Sequence, residues 1–80
     1  MQGEQLLKEA IESVVQSNRP LISDWIAGVP KTWGPLAGKA VIAMRSRIGR
    51  NLTDGERRVV WSAMWRRLEE LRNNKTSDNI

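Results

Sequence analysis

Seven basic side chains in one part of the sequence have the type and spacing to bind an anion. Five of them lie within residues 25–53, a stretch that contains no acidic residue, and two more follow shortly after it. Arginine and lysine clusters of this kind bind the phosphate oxygens of nucleic acids. The candidate phosphate-binding residues are Arg45, Arg47, Arg50, Arg57, Arg58, Lys31 and Lys39.

The two parts of the chain carry opposite net charge. Residues 1–30 contain two basic and four acidic residues, whereas residues 31–80 contain eleven basic and five acidic residues. An asymmetric charge distribution steers association with a polyanion or with an acidic protein surface. The charge pattern therefore favours a DNA or RNA backbone as the partner, with an acidic protein as a further possibility.

Five arginines are predicted to surround one turn between two helices. Arg45, Arg47 and Arg50 end one helix and its following turn, and Arg57 and Arg58 open the next helix beside its free N–H groups, which favours phosphate binding. Base readout by a helix-turn-helix is not predicted, because both connections exceed its three- or four-residue turn. The competing interpretation is a solvated basic surface that only maintains solubility.

A second function class is recognition of a protein, including self-association as a homodimer. Trp33 lies between Pro30 and Pro35, and a tryptophan in such a stiff loop loses little entropy on docking. We therefore assign Trp33 as the candidate protein-interface residue. The alternative is that Trp33 folds back over the bundle as a lid.

The composition argues against an enzyme and against a bound metal or cofactor. The sequence has no cysteine and no histidine, which removes most transition-metal ligands and imidazole catalysis. Its glycines match neither a phosphate-binding loop nor a dinucleotide fingerprint. We expect a non-enzymatic binding module without a small-molecule substrate.

The hydrophobic pattern argues against a membrane protein. The longest fully apolar run, residues 40–44, is far shorter than a membrane span. Trp61 and Trp65, which have arginines nearby, would suit an interfacial membrane helix, but their phase with Val60, Met64 and Leu68 indicates a core stripe. A cytoplasmic protein with four tryptophans as core anchors is expected.

Apolar periodicity and capping signals predict an all-α fold with three longer helices and one short helix. The helices are expected at about residues 4–17, 19–27, 35–48 and 54–72. Gly49 is predicted to cap the third helix, and Thr53 and Glu56 form a capping box for the fourth. Residues 1–72 then make one small helical bundle domain, followed by a mobile, disordered tail at residues 73–80.

Overall fold

The chain folds as a bundle of helices. A computed structural model describes the backbone of residues 2–77 and the side chains of residues 3–74. Within that range the helices are α1 (Gln2–Ser17), α2 (Arg19–Ile26), α3 (Trp33–Ile48) and α4 (Asp54–Ser77). The predicted all-α architecture of three longer helices and one short one is confirmed.

Four helix boundaries differ from the predicted ones. Helix α1 begins at Gln2 rather than residue 4, and α2 ends at Ile26 rather than residue 27. Helix α3 begins at Trp33 rather than Pro35, and Pro35 is accommodated because the first turn of a helix has no use for its missing N–H. Helix α4 continues to Ser77, five residues beyond the predicted end at Arg72. Residues 78–80, the end of the predicted tail, lie outside the described part of the chain.

The turn between α3 and α4 has the predicted caps. Gly49 adopts the left-handed conformation with φ of 83°, and its N–H donates to the Arg45 carbonyl oxygen at 2.8 Å. The Glu56 N–H donates to the Thr53 hydroxyl at 3.2 Å, and the Thr53 N–H donates to the Glu56 carboxylate at 2.9 Å. These bonds satisfy backbone groups that the helix ends leave unpaired, so the turn fixes α3 and α4 as antiparallel neighbours.

The core lies where α1, α3 and α4 meet. Ala10 of α1 and Ala40 of α3 are both completely inaccessible to solvent, and such small residues let helices approach closely. Helix α4 contributes Val60, Met64 and Leu68, spaced one turn apart and at most 2% exposed. Within residues 3–74 the buried core is therefore aliphatic, and it contains no tryptophan.

The prediction that Trp61 and Trp65 are core residues is wrong. Each is 40% exposed, although both lie next to the buried stripe of Val60, Met64 and Leu68 on α4. A helix rotates by about 100° per residue, so these two positions flank the stripe instead of lying at its centre. The short helix α2 leaves this flank only partly covered.

No helix within residues 2–77 combines the length and the apolar character that a bilayer crossing requires.

Core and flank positions on α4 should differ clearly in their contribution to stability. We expect Leu68→Ala to lower the free energy of unfolding by about 2–5 kcal/mol, because it leaves a cavity in a fully buried site. Trp61→Ala should cost about 1 kcal/mol or less, as surface substitutions do. Urea unfolding followed by far-ultraviolet circular dichroism measures both values. Equal losses for the two variants would contradict the described burial.

Candidate binding face on helices α3 and α4

Three tryptophans from three helices form an aromatic cluster around Trp65. The Trp65 ring centroid lies 5.3 Å from that of Trp25 on α2 and 5.0 Å from that of Trp33 on α3. Both pairs have an interplanar angle of 86°, which is the edge-to-face arrangement that indole rings favour. The cluster fixes the rings in place and attaches α2 and the start of α3 to α4.

An arginine closes the α2 side of this cluster. The Arg72 guanidinium lies 5.0 Å from the centroid of the Trp25 ring, within the range of a cation–π contact. The Arg72 Nη2 is also 3.8 Å from a carboxylate oxygen of Glu69. Trp25 is therefore covered by neighbours of the same chain, whereas Trp61 and Trp65 keep a solvent-exposed surface.

An apolar groove runs between α3 and α4 beside the cluster. It has a volume of about 520 Å³, and Trp33, Val41, Ile42 and Trp61 form its walls. A second, smaller cleft of about 380 Å³ lies next to it, between Trp33, Trp61 and Trp65. We call the apolar part of the surface that lines the groove and this cleft the aromatic face; its residues are Trp33, Gly34, Ala37, Gly38, Val41, Ile42, Trp61 and Trp65. Three charged residues also line these two depressions: Arg57, Arg66 and Glu69.

Two glycines within α3 leave part of the aromatic face without side chains. Gly34 and Gly38 are exposed, lie one helical turn apart, and both line the groove. A Cβ atom built at either position would meet no heavy atom within 4 Å, so packing within the chain does not require glycine there. Glycine in a helix costs about 1 kcal/mol relative to alanine. The fold therefore does not explain why these positions lack a side chain.

Ile42 is a member of the aromatic face that the sequence-based site prediction missed. Its side chain is 58% exposed, although it is large and apolar. The signal was available in the sequence, because Ile42 is out of phase with the inward stripe that contains Ala40 and Met44. Ile42 is significant because it lines the same groove as Trp33 and Trp61, so these side chains form a contiguous apolar patch.

Trp33, the predicted interface residue, is half-buried. It opens α3, packs on the edge of the hydrophobic core, and makes the edge-to-face contact with Trp65. Most of the Trp33 side chain is therefore buried against the bundle, as the alternative interpretation expected. Part of its ring nevertheless lines the groove and the adjacent cleft, so Trp33 contributes to a shared aromatic surface.

Two of the predicted phosphate-binding arginines are paired with carboxylates. The Arg50 Nη1 and Nη2 atoms donate to the two Glu56 carboxylate oxygens at 2.9 Å and 2.7 Å. Arg57 forms an ion pair with Asp54, three residues before it. Phosphate binding by either guanidinium would have to compete with a carboxylate that is already in contact.

The other five predicted basic residues do not share one surface. Lys31 precedes α3, whereas Arg45 and Arg47 lie in its last turn, so most of the roughly 24 Å length of this helix separates them. Arg45 lies one turn after Val41 and hence on the groove side, whereas Lys39 points away from that side. Arg47 donates to the Ala43 carbonyl oxygen at 3.4 Å, and Arg58 is exposed beside Arg57.

A second apolar cleft lies at the other end of the bundle. Its volume is about 560 Å³, and it is lined by residues of α1, α3 and α4, including Leu7, Ile48 and Val59. Val59 is 56% exposed, almost as much as Ile42, but it does not belong to the aromatic face. The two residues are therefore matched probes for two separate surfaces.

Comparison with family models, with curated proteins and with solved structures found nothing similar to this chain.

The capping box should make stability depend on pH through Glu56. The Arg50 guanidinium, helped by the Thr53 N–H, lowers the pKa of Glu56 from 4.5 to about 2. A carboxyl group whose pKa is lowered on folding stabilises the native state above its unfolded pKa, and this contribution disappears as the pH falls through the folded pKa. We therefore expect the stability advantage of the native chain over Glu56→Gln to decline between pH 4.5 and about 2.

Thermal unfolding of both proteins across that pH range measures this contribution. The comparison cancels the titration of the other carboxyl groups, which both proteins share. A difference in melting temperature that stays constant down to pH 2 would contradict the described Arg50–Glu56 pair.

Proposed function

We propose that this chain is a non-enzymatic protein-recognition module that binds its partner through the aromatic face. The observation that carries the proposal is the exposure of Trp61, Trp65 and Ile42 around the groove and the adjacent cleft. A small domain that keeps 40% of two indole side chains in solvent has a large apolar surface still to bury.

The composition and rigidity of the aromatic face suit a protein interface. Tryptophan and arginine are enriched at the centres of such interfaces and contribute much of their binding free energy. The edge-to-face contacts of Trp65 with Trp25 and Trp33 hold these rings in one arrangement. Side chains that are already ordered lose less entropy when a partner docks, so the face is prepared for binding.

Site-specific crosslinking tests the proposed function. We expect p-benzoylphenylalanine at position 42 to form covalent adducts with protein in the native host, because this position borders the groove. The matched probe at position 59 is equally exposed but lies on the other cleft, and it should form fewer adducts. Adducts are detected by gel shift and identified by mass spectrometry. Equal yields at both positions, or no adduct at position 42, would refute recognition through the aromatic face.

Nucleic-acid binding is a second candidate function. Arg45, Arg47 and Arg58 are exposed, and none of them forms an ion pair with a residue that the structure describes. Guanidinium groups without a carboxylate partner are available to phosphate oxygens. Such binding would be a backbone contact without base readout, and it would not require the aromatic face.

Salt dependence separates this candidate from protein recognition. If phosphate contacts operate, binding of a labelled mixed-sequence DNA duplex should weaken by at least tenfold between about 50 and 200 mM salt. Arg45→Ala and Arg58→Ala should each weaken it further, whereas Arg19→Ala, which removes the same charge from α2, should not. Fluorescence anisotropy measures all four proteins. An undetectable complex at the lower salt concentration would exclude duplex DNA as the ligand.

A further inference from the structure

We propose that the partner of the aromatic face is an amphipathic α-helix with acidic flanks, which lies in the groove between α3 and α4. This inference rests on the proposed function and specifies its partner class. It follows from the shape of the groove, from the charges around it, and from the chemistry of the chain's own remaining surface.

The groove has the form that a helix requires. Its floor on α3 is Gly34, Ala37 and Gly38, and its walls are the large side chains of Trp33, Ile42 and Trp61. Because the floor residues have little or no side chain, the backbone of the partner's helix can approach α3 closely. A docked helix fills such a groove with apolar residues at positions i, i+3, i+4 and i+7.

The charges around the groove favour acidic flanks on that helix. Two exposed basic residues border the aromatic face and form no ion pair with a described residue. Arg66 lines the cleft, and Arg45 lies one turn after Val41 on the groove side. The nearest acidic residues, Asp54 and Glu69, are in contact with Arg57 and Arg72. A partner with carboxylates beside its apolar stripe therefore meets uncompensated positive charge, which favours and steers its docking.

A second copy of this chain does not match the groove. Pairing two aromatic faces would bring Arg45 and Arg66 of both copies together, and like charges at an interface are unfavourable. The acidic helix α1 is no substitute, because its apolar side chains Ile11 and Val14 are already buried in the core. Its outward residues, such as Glu4, Lys8 and Glu9, are charged and do not fill an apolar groove.

Gly38→Leu tests the inference without removing an existing contact. The new side chain would enter the groove, and its Cβ would meet no heavy atom within 4 Å, so the fold should be retained. Replacing glycine within a helix also favours the helical state. Circular dichroism verifies folding. Gln16→Leu places the same side chain on exposed α1 and serves as the matched control.

The probes are two labelled peptides as long as α3, which has 16 residues. Both carry leucine at helical spacing; one has glutamate and the other has lysine at the flanking positions. We expect the acidic peptide to bind at least about tenfold more tightly than the basic one by fluorescence anisotropy. Gly38→Leu should weaken acidic-peptide binding by at least about tenfold, and Gln16→Leu should leave it unchanged.

Several outcomes would overturn the inference. These are equal or tighter binding of the basic peptide, no binding of the acidic peptide, or no effect of Gly38→Leu. Dimerisation through the face in sedimentation equilibrium, or binding to phosphatidylserine vesicles that Gly38→Leu abolishes, would assign the groove to another occupant. Crosslinks from position 42 to a protein would still support the proposed function in each case, so the two failures are distinguishable.

Discussion

The close packing of α1 against α3 is the constraint on which the rest of the structure depends. Ala10 and Ala40 are fully buried at the centre of the core. Small residues at such positions bring helices together, and Val60, Met64 and Leu68 of α4 complete the buried core. The tryptophans lie instead at the rim of the bundle, where they are partly exposed to solvent and three of them form the aromatic cluster.

The rim position gives the tryptophans two roles at once. Trp65 contacts Trp25 and Trp33, so it holds the short helix α2 and the start of α3 on the bundle. Trp61, one turn earlier on the same helix, lines the groove instead. The same aromatic residues thus contribute to stability on one side and present apolar surface on the other, which is common in small domains with limited cores.

The charged side chains also fall into two groups, those paired within the chain and those without an ion pair to a described residue. Asp54 and Glu56 at the start of α4 are in contact with Arg57 and Arg50, and Glu12 of α1 accepts hydrogen bonds from Arg67 of α4 at 2.7 and 3.1 Å. These pairs lie in solvent or at its edge, so each contributes little to stability. They leave Arg45 and Arg66 beside the aromatic face without an ion pair to a described residue.

The sequence by itself determined that the chain forms helices, where the turn between α3 and α4 is capped, and that the chain reverses direction at this turn. Gly49, Thr53 and Glu56 specify the turn between α3 and α4 through backbone hydrogen bonds to near neighbours, and such local interactions can be predicted from residue spacing.

Only the tertiary structure decided which flank of each apolar stripe is covered. Trp61 and Val60 are adjacent in sequence, yet one is exposed and the other is buried, because burial depends on the helices packed against α4. The pairing of Arg50 with Glu56, the separation of Lys31 from the other bases, and the groove bordered by Ile42 are equally products of helix packing and loop geometry, which residue spacing alone does not specify.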